Sequence, residues 1–126
     1  HAVIDIERIG DHAVNILEAA QRKRDKGIVF SEQAYKEMMD LKENVMEIYD
    51  DSLRIFASGK QDLLERVSVL EDEIDRKQIL YQEEHVERMS SQSCSVEAGL
   101  IFMDFLIGME RIGDHAMNIA YSATGK

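Results

Sequence analysis

The sequence predicts an all-α protein, an antiparallel up-down bundle of four helices. Three observations point to this class. The 126 residues include no proline, the residue that breaks helices most strongly. Apolar residues recur at helical spacing along four segments that are joined by short connections, which favours antiparallel neighbours. Val, Ile and Thr do not form the alternating runs that are typical of strands.

The first predicted helix covers residues 3–24, where three cations occupy the last turn before Gly27. The second covers residues 32–58, between Ser31 as N-cap and Gly59 as its end. Both helices carry one apolar stripe, so we expect each of them to pack on a common core.

The third predicted helix covers residues 62–89, and the Ser/Gln segment 90–93 ends it. The fourth covers residues 96–122 behind Ser95 as N-cap. It is apolar nearly all round, so we expect it to be the most buried helix. Residues 1–126 should form one domain. Because the chain opens inside a helical pattern, we expect it to be a fragment of a longer protein.

The charge and the cysteine content exclude several functions. A formal net charge of −10 repels both phosphate backbones and anionic lipid, so we expect no nucleic-acid partner and no direct lipid adhesion. A single cysteine, Cys94, excludes an internal disulfide and a thiolate zinc site. We expect no His or acid to be placed where it could activate this thiol.

One motif occurs near both ends of the chain. The segment IERIGDHAVNI at residues 6–16 returns as MERIGDHAMNI at residues 109–119, with nine of eleven positions identical. A duplicated three-helix unit explains this spacing, so the chain would hold the last helix of one unit and all of the next. Gly10 and Gly113 each cost about 1 kcal/mol inside a helix, and we expect close helix packing to be the reason.

Pairs of carboxylates carry the predicted chemistry. Glu110 and Asp114 are four residues apart and share one helix face with apolar residues, where they need a cation, a proton or hydrogen-bond donors. Glu71 and Asp75 form a second pair at the same spacing on the third helix. If the third and fourth helices pack together, four carboxylates converge. Oxygen-only clusters suit Mg²⁺, Ca²⁺, Mn²⁺ and iron.

Glu7 and Asp11 form a third pair in the first motif copy, but its natural partner helix would lie upstream, so we expect that site to be incomplete. We predict that a further set of residues supports the ligands, or lies in helix interfaces, without binding metal. These residues are His12, His115, Arg111 and Asn118. The polar strip of the fourth helix runs through Asp104 and Arg111. Two simpler interpretations remain open, in which the acid pairs are solvated surface or form salt bridges with arginines.

Enzyme signatures are absent, including glycine-rich phosphate loops, Gly-x-Ser-x-Gly, His-Glu-x-x-His and the Glu-x-x-His of di-iron bundles. We therefore predict a non-catalytic protein. A metal-free helical interaction module and a metal-dependent enzyme stay as alternatives.

The repeat Glu-Arg-Ile-Gly-Asp-His-Ala-x-Asn-Ile resembles the PhoU family. The resemblance implies two three-helix repeats, each ending in a helix with this motif, and acid-x-x-x-Asp pairs that bind metal clusters. Iron is the metal that the resemblance favours, and Mg, Mn, Ca and Zn stay open. It also implies a regulatory role in phosphate transport and phosphate homeostasis.

The segments at residues 85–89, 94–99 and 102–104 resemble the PhoU-like cytoplasmic C-terminal domain of Na⁺/phosphate cotransporter-family proteins. This implies a cytoplasmic domain, attached to the plasma membrane through an upstream transporter region. Its partner would be the transporter portion of the same chain or a phosphate transport system. A stand-alone PhoU-type regulator is the alternative. The half repeat at the start leaves a helix face uncovered, so we expect a homodimer.

Overall fold

The computed structural model describes residues 2–124 and contains four helices in that range: α1 (Ala2–Asp25), α2 (Glu32–Ser58), α3 (Leu64–Ser90) and α4 (Val96–Ala123). The predicted all-α class is confirmed. The bounds of α2 match the prediction, and α3 begins two residues later than predicted, because residues 62–63 form a turn. No helix in residues 2–124 has the length and hydropathy that crossing a bilayer requires.

The predicted signals at the helix ends act as capping groups. The hydroxyl oxygens of Ser31 and Ser95 accept hydrogen bonds from the backbone N–H groups of Ala34 and Ala98, each at 3.1 Å. Each serine therefore satisfies one of the unpaired donors of a helix N-terminus. Gly59 has φ 70° and donates its N–H to Ile55, which closes α2 in the left-handed conformation that glycine adopts readily.

The α4 helix lies at the centre, in contact with each of the other three helices. Helices α2, α3 and α4 pack on one another as a three-helix unit, and α1 lies along the outer side of α4. Asp5 near the start of α1 meets Asn118 near the end of α4, so these two helices run antiparallel. The bundle is thus one complete unit with one additional helix.

The core consists mainly of side chains from α2, α3 and α4, and α4 is the most buried helix, as predicted. A smaller apolar cluster of Ala19, Ile101 and Phe105 joins α1 to α4. The largest side chains that are almost fully buried are Phe102, Leu41, Ile48, Ile55, Ile74, Leu106 and Ile119.

The two motif glycines differ in their surroundings. A Cβ atom at Gly113 would lie 3.3 Å from Cδ1 of Ile74 in α3, so the expected close packing is confirmed there. A Cβ atom at Gly10 would meet nothing within 4 Å, and the expectation is wrong for that residue. The reason is that Ile74 of α3 packs directly over Gly113, whereas Gly10 lines an open cavity that separates it from Tyr49 and Leu53 of α2.

Candidate metal centre

Four carboxylates converge between α3 and α4. Glu71 and Asp75 come from α3, Glu110 and Asp114 come from α4, and one oxygen of each lies within 4.8 Å of the others. The spacing of four residues places both members of each pair on one helix face, and the packing of α3 on α4 brings the pairs together. The predicted convergence is therefore confirmed.

No cation balances these four carboxylates within the described part of the chain: no Lys, Arg or His forms an ion pair with them. Glu71 is only 6% exposed, and the other three are half-buried. The Oδ1 atom of Asp75 is buried without a hydrogen-bond partner. Buried carboxylate oxygens without partners are destabilising, so the cluster requires protons or a bound cation.

The protonation of the cluster follows from its burial. Burial, a hydrogen bond with Asp114 and the charge of Asp75 raise the pKa of Glu71 to about 9. Burial, a hydrogen bond with Asp114 and the charges of Asp114 and Asp75 raise the pKa of Glu110 to about 8. At neutral pH and without a cation, Glu71 and Glu110 would therefore each hold a proton. A cation that binds here must displace those protons.

The local sequence explains why the two helices approach closely at this point. Gly113 stands directly before Asp114, and the side chain of Ile74 packs over it. A Cβ atom at this position would lie 3.3 Å from Cδ1 of Ile74, so the Ile74 side chain would have to shift. Four oxygen donors without nitrogen or sulfur form a set that suits hard cations such as Mg²⁺, Ca²⁺, Mn²⁺ and ferric iron.

The third predicted acid pair lies elsewhere. Glu7 and Asp11 are exposed on α1, and within residues 2–124 they do not belong to any group of three or more possible ligands. The face of α1 that carries them is not covered by another described helix. That this site is incomplete, and that its acids bind metal, both stay predictions.

The residues that were predicted to support the ligands lie mainly in the interface between α1 and α4. Nδ1 of His115 is 2.9 Å from Oδ1 of Asp5, and Asn118 donates to the same oxygen at 3.5 Å. The ring of His12 stacks on that of His115 with centroids 5.4 Å apart. One residue along a helix rotates the side chain by about 100°, so His115 faces α1 while Asp114 faces α3.

Arg111 is exposed and lines a cavity of about 210 Å³ between α1 and α4. His12, Glu18 and Asp104 also line it, and Asp104 forms an ion pair with Arg22 of α1. The polar strip of α4 therefore faces α1. Burial, together with the nearby His115 and Arg111, lowers the pKa of His12, so its imidazole is neutral at physiological pH.

A buried polar network between α2 and α3 was not predicted. Glu37, which is 2% exposed, accepts two hydrogen bonds from Arg88 at 3.1 and 2.7 Å. The Arg88 guanidinium also lies 2.7 Å from Nδ1 of His85, whose ring stacks on Phe102. The spacing of His85 and Arg88 by three residues was a signal for this contact, but the sequence did not indicate Glu37 as the partner.

No His or acid was expected where it could activate Cys94, but the structure places a histidine beside this thiol. Its Sγ atom is 3.5 Å from Nε2 of His85, nine residues earlier in the chain. The contact forms because the turn after α3 folds residues 91–95 back over the end of the helix, where Ser93 donates to the backbone oxygen of Arg88. Such a turn cannot be recognised from helical periodicity.

Comparison with known proteins gives a consistent result. The sequence model of the family described as PhoU domain matches residues 38–123. The chain is 31% identical over 126 residues to the phosphate-specific transport system accessory protein PhoU homolog 1 of Thermotoga maritima, which covers 97% of this chain and 53% of that protein. It is 34% identical over 119 residues to the PhoU homolog of Pseudomonas putida, which covers 94% of this chain and 46% of that protein. The chain thus spans about half the length of the curated relatives it matches. No solved structure matches it.

Proposed function

This chain belongs to the PhoU family, and we propose that it is a regulatory domain of phosphate transport with a metal centre between α3 and α4. The similar proteins are named accessory proteins of phosphate-specific transport systems, which supports the regulatory role. The observation that carries the metal proposal is the convergence of four carboxylates that no cationic side chain in residues 2–124 balances. The absence of enzyme signatures in the sequence supports a role without catalysis.

The residues present suit a hard cation. The cation would be held by Glu71, Asp75, Glu110 and Asp114, and it would give the unpartnered Oδ1 of Asp75 a partner. A bound cation would replace the mutual repulsion of the four carboxylates by attraction and would join α3 to α4. Membership of the family favours iron, while zinc prefers sites with nitrogen or sulfur ligands.

Protonation is the second way to satisfy this cluster. The raised pKa values of Glu71 and Glu110 allow a metal-free bundle in which these two residues donate hydrogen bonds to their neighbours. The domain would then be an interaction module without metal. Metal analysis distinguishes the two functions, because only the first requires a bound ion at stoichiometric level.

We further propose that the partner is a phosphate transport system, and that the transporter portion belongs to the same polypeptide on its cytoplasmic side. The resemblance to cotransporter-family tails supports this. We also propose that the outward face of α1 is covered in a homodimer. Its apolar side chains Val3, Ile4, Val14 and Leu17 are 58%, 50%, 51% and 63% exposed. Apolar groups arranged in this way favour association. Sedimentation of the purified protein as a monomer would contradict the dimer.

The test of the metal proposal is the metal content of protein purified without chelator, measured by inductively coupled plasma mass spectrometry. We expect about one or more ions per chain in the wild type. The double variant Glu110→Gln, Asp114→Asn should lose them. The matched control Glu7→Gln, Asp11→Asn carries the same changes at the equivalent, exposed motif positions and should retain the ion between α3 and α4. Wild-type protein without metal would refute the proposal, and equal loss in both variants would place the ion elsewhere.

The regulatory role requires a separate measurement. Uptake of radioactive phosphate by cells that express the full-length protein should change when Glu110 and Asp114 are replaced, while protein abundance in the membrane fraction stays constant. Uptake that is identical with and without the domain would contradict a role in phosphate transport.

A further inference from the structure

The repeated motif places the same pair of hydrogen-bonding side chains twice in the interface between α1 and α4. In the copy on α4, the pair is His115 and Asn118, three residues apart on one helix face. Nδ1 of His115 lies 2.9 Å from Oδ1 of Asp5, and the Asn118 amide donates to the same oxygen at 3.5 Å. Asp5 is 6% exposed, so this pair holds a buried carboxylate.

The copy on α1 has the same pair of side chains without the carboxylate. Its members are His12 and Asn15, and neither side chain has a hydrogen-bond partner within residues 2–124. Asp5 stands directly before the first motif copy, and the residue directly before the second copy is Gly108. The chain therefore supplies a carboxylate to one pair and only a glycine to the other.

The cavity of about 210 Å³ between α1 and α4 lies at this second pair. His12, Asn15 and Gly108 all line it, and they are the equivalents of the three residues that meet at the Asp5 carboxylate. A Cβ atom at Gly108 would lie 2.8 Å from Cγ1 of Ile16, so an aspartate could not stand there unless Ile16 moved. A carboxylate from another molecule can reach the pair instead, because Asn15 is exposed.

The charged residues of the cavity favour a singly charged anion. Arg111 lines it, is exposed and forms no ion pair within residues 2–124. Asp104 is paired with Arg22, so the charge of this acid is already balanced. Glu18 is the other acid in the lining, and its charge would repel a doubly charged anion more strongly than a single carboxylate. Ile107 adds an apolar wall for a small alkyl group.

We propose that this cavity binds a small monocarboxylate, with acetate as the probe, because acetate corresponds to the aspartate side chain from Cβ outward. The ring N–H of His12 and the amide of Asn15 would donate to its oxygens, as their equivalents do to Asp5. Arg111 would supply positive charge beside the anion. Burial, together with the nearby His115 and Arg111, lowers the pKa of His12, so its neutral ring keeps one N–H for the ligand. This inference does not depend on the metal centre.

The experiment is a titration of ¹⁵N-labelled, chelator-treated protein with sodium acetate, followed by NMR at an ionic strength that sodium chloride keeps constant. Removal of metal prevents acetate from binding to an ion at the carboxylate cluster. We expect saturable shifts of the Asn15 side-chain amide and the His12 ring nitrogens, with one dissociation constant of about 1–20 mM for so small a ligand. Shifts that do not saturate up to about 100 mM, or equal shifts of the Asn118 amide, would overturn the proposal.

Sodium phosphate in place of acetate tests the class of ligand. At pH 8 phosphate is mainly doubly charged, so the charge of Glu18 should weaken its binding at least about fivefold relative to acetate. Equal affinity for phosphate and acetate would refute the assignment to a monocarboxylate.

The decisive comparison is between the variants Asn15→Ala and Asn118→Ala. The two residues are equivalent and exposed, so both variants should fold, and each loses one amide. Asn15→Ala should weaken acetate binding about tenfold, because a hydrogen bond to a charged group is lost. Asn118→Ala should change the affinity less than about twofold, because its amide contacts Asp5 and does not line the cavity. Equal affinities in the two variants would show that acetate binds elsewhere and would refute this site.

Discussion

The replacement Glu71→Gln should stabilise the metal-free protein and weaken its metal binding. At pH 7.5 the folded protein keeps the proton of Glu71, whose pKa is raised to about 9, whereas the unfolded chain ionises it with an ordinary value of 4.5. Between pH 4.5 and pH 7.5, ionisation of this carboxyl therefore stabilises only the unfolded chain. Over these roughly three pH units, at about 1.4 kcal/mol per unit, the folded wild-type protein loses at most about 4 kcal/mol of stability. Because the ionisation of Glu71 is coupled to that of the neighbouring carboxylates, the expected gain in unfolding free energy is smaller, about 1–3 kcal/mol.

The assay is urea unfolding in the presence of chelator at pH 4 and pH 8. At pH 4 the carboxyl is protonated in both states, so the gain in unfolding free energy should nearly vanish. At pH 8 the gain should be largest, with a rise in melting temperature of about 3–12 °C. The exposed control Glu7→Gln should change stability by less than about 0.5 kcal/mol at either pH.

Metal affinity should move in the opposite direction, because the amide of glutamine carries no charge. We expect a loss of at least about tenfold in isothermal titration, since even residues behind a ligand contribute that much. If Glu71→Gln destabilised the metal-free protein more at pH 8 than at pH 4, the inferred mutual repulsion of the carboxylates would be refuted. A gain in stability with unchanged metal affinity would support the inferred repulsion of the carboxylates but refute the metal centre.

Three other predictions follow from particular contacts. Gly10→Ala should stabilise the protein by about 1 kcal/mol in thermal unfolding, since its Cβ atom meets nothing, whereas Gly108→Ala should destabilise it because its Cβ atom would lie 2.8 Å from Ile16. Arg88→Ala should lower the free energy of urea unfolding by about 3–5 kcal/mol, because it leaves the buried Glu37 without its ion-pair partner. The additional change Glu37→Gln removes the buried charge and should restore part of the lost stability. Metal binding at pH 7 should release the protons of Glu71 and Glu110. The heat measured by titration calorimetry should therefore vary with the ionisation enthalpy of the buffer. Identical heats in phosphate-free buffers of different ionisation enthalpy would contradict the protonated cluster.

Helical periodicity was sufficient to predict the elements of this fold. The bounds of α2 followed from Ser31 and Gly59, whose capping chemistry is local. The four carboxylates could also be predicted, because residues four apart share a helix face and short connections place α3 beside α4.

The interface between α1 and α4 could not be predicted in the same way. A helical wheel shows that His115 and Asp104 share a polar strip, but it does not show which helix covers that strip. The structure places α1 there, so Asp5 and Arg22 become the partners of these two residues. The contact between Cys94 and His85 depends on a turn, and turns follow no periodic pattern.

The stacked pair His12 and His115 has a consequence for the symmetry of this protein. The two histidines occupy the same position in the two motif copies, and each meets its own counterpart across the interface. That reciprocity is the mark of an isologous contact, as in a twofold homodimer. The α1–α4 interface is thus a pseudo-dyad within one chain, with the two histidines at its axis. The equivalent of Asp5 is Gly108, so within residues 2–124 only His115 of the pair contacts a carboxylate, and the duplicated halves have diverged at the axis that relates them.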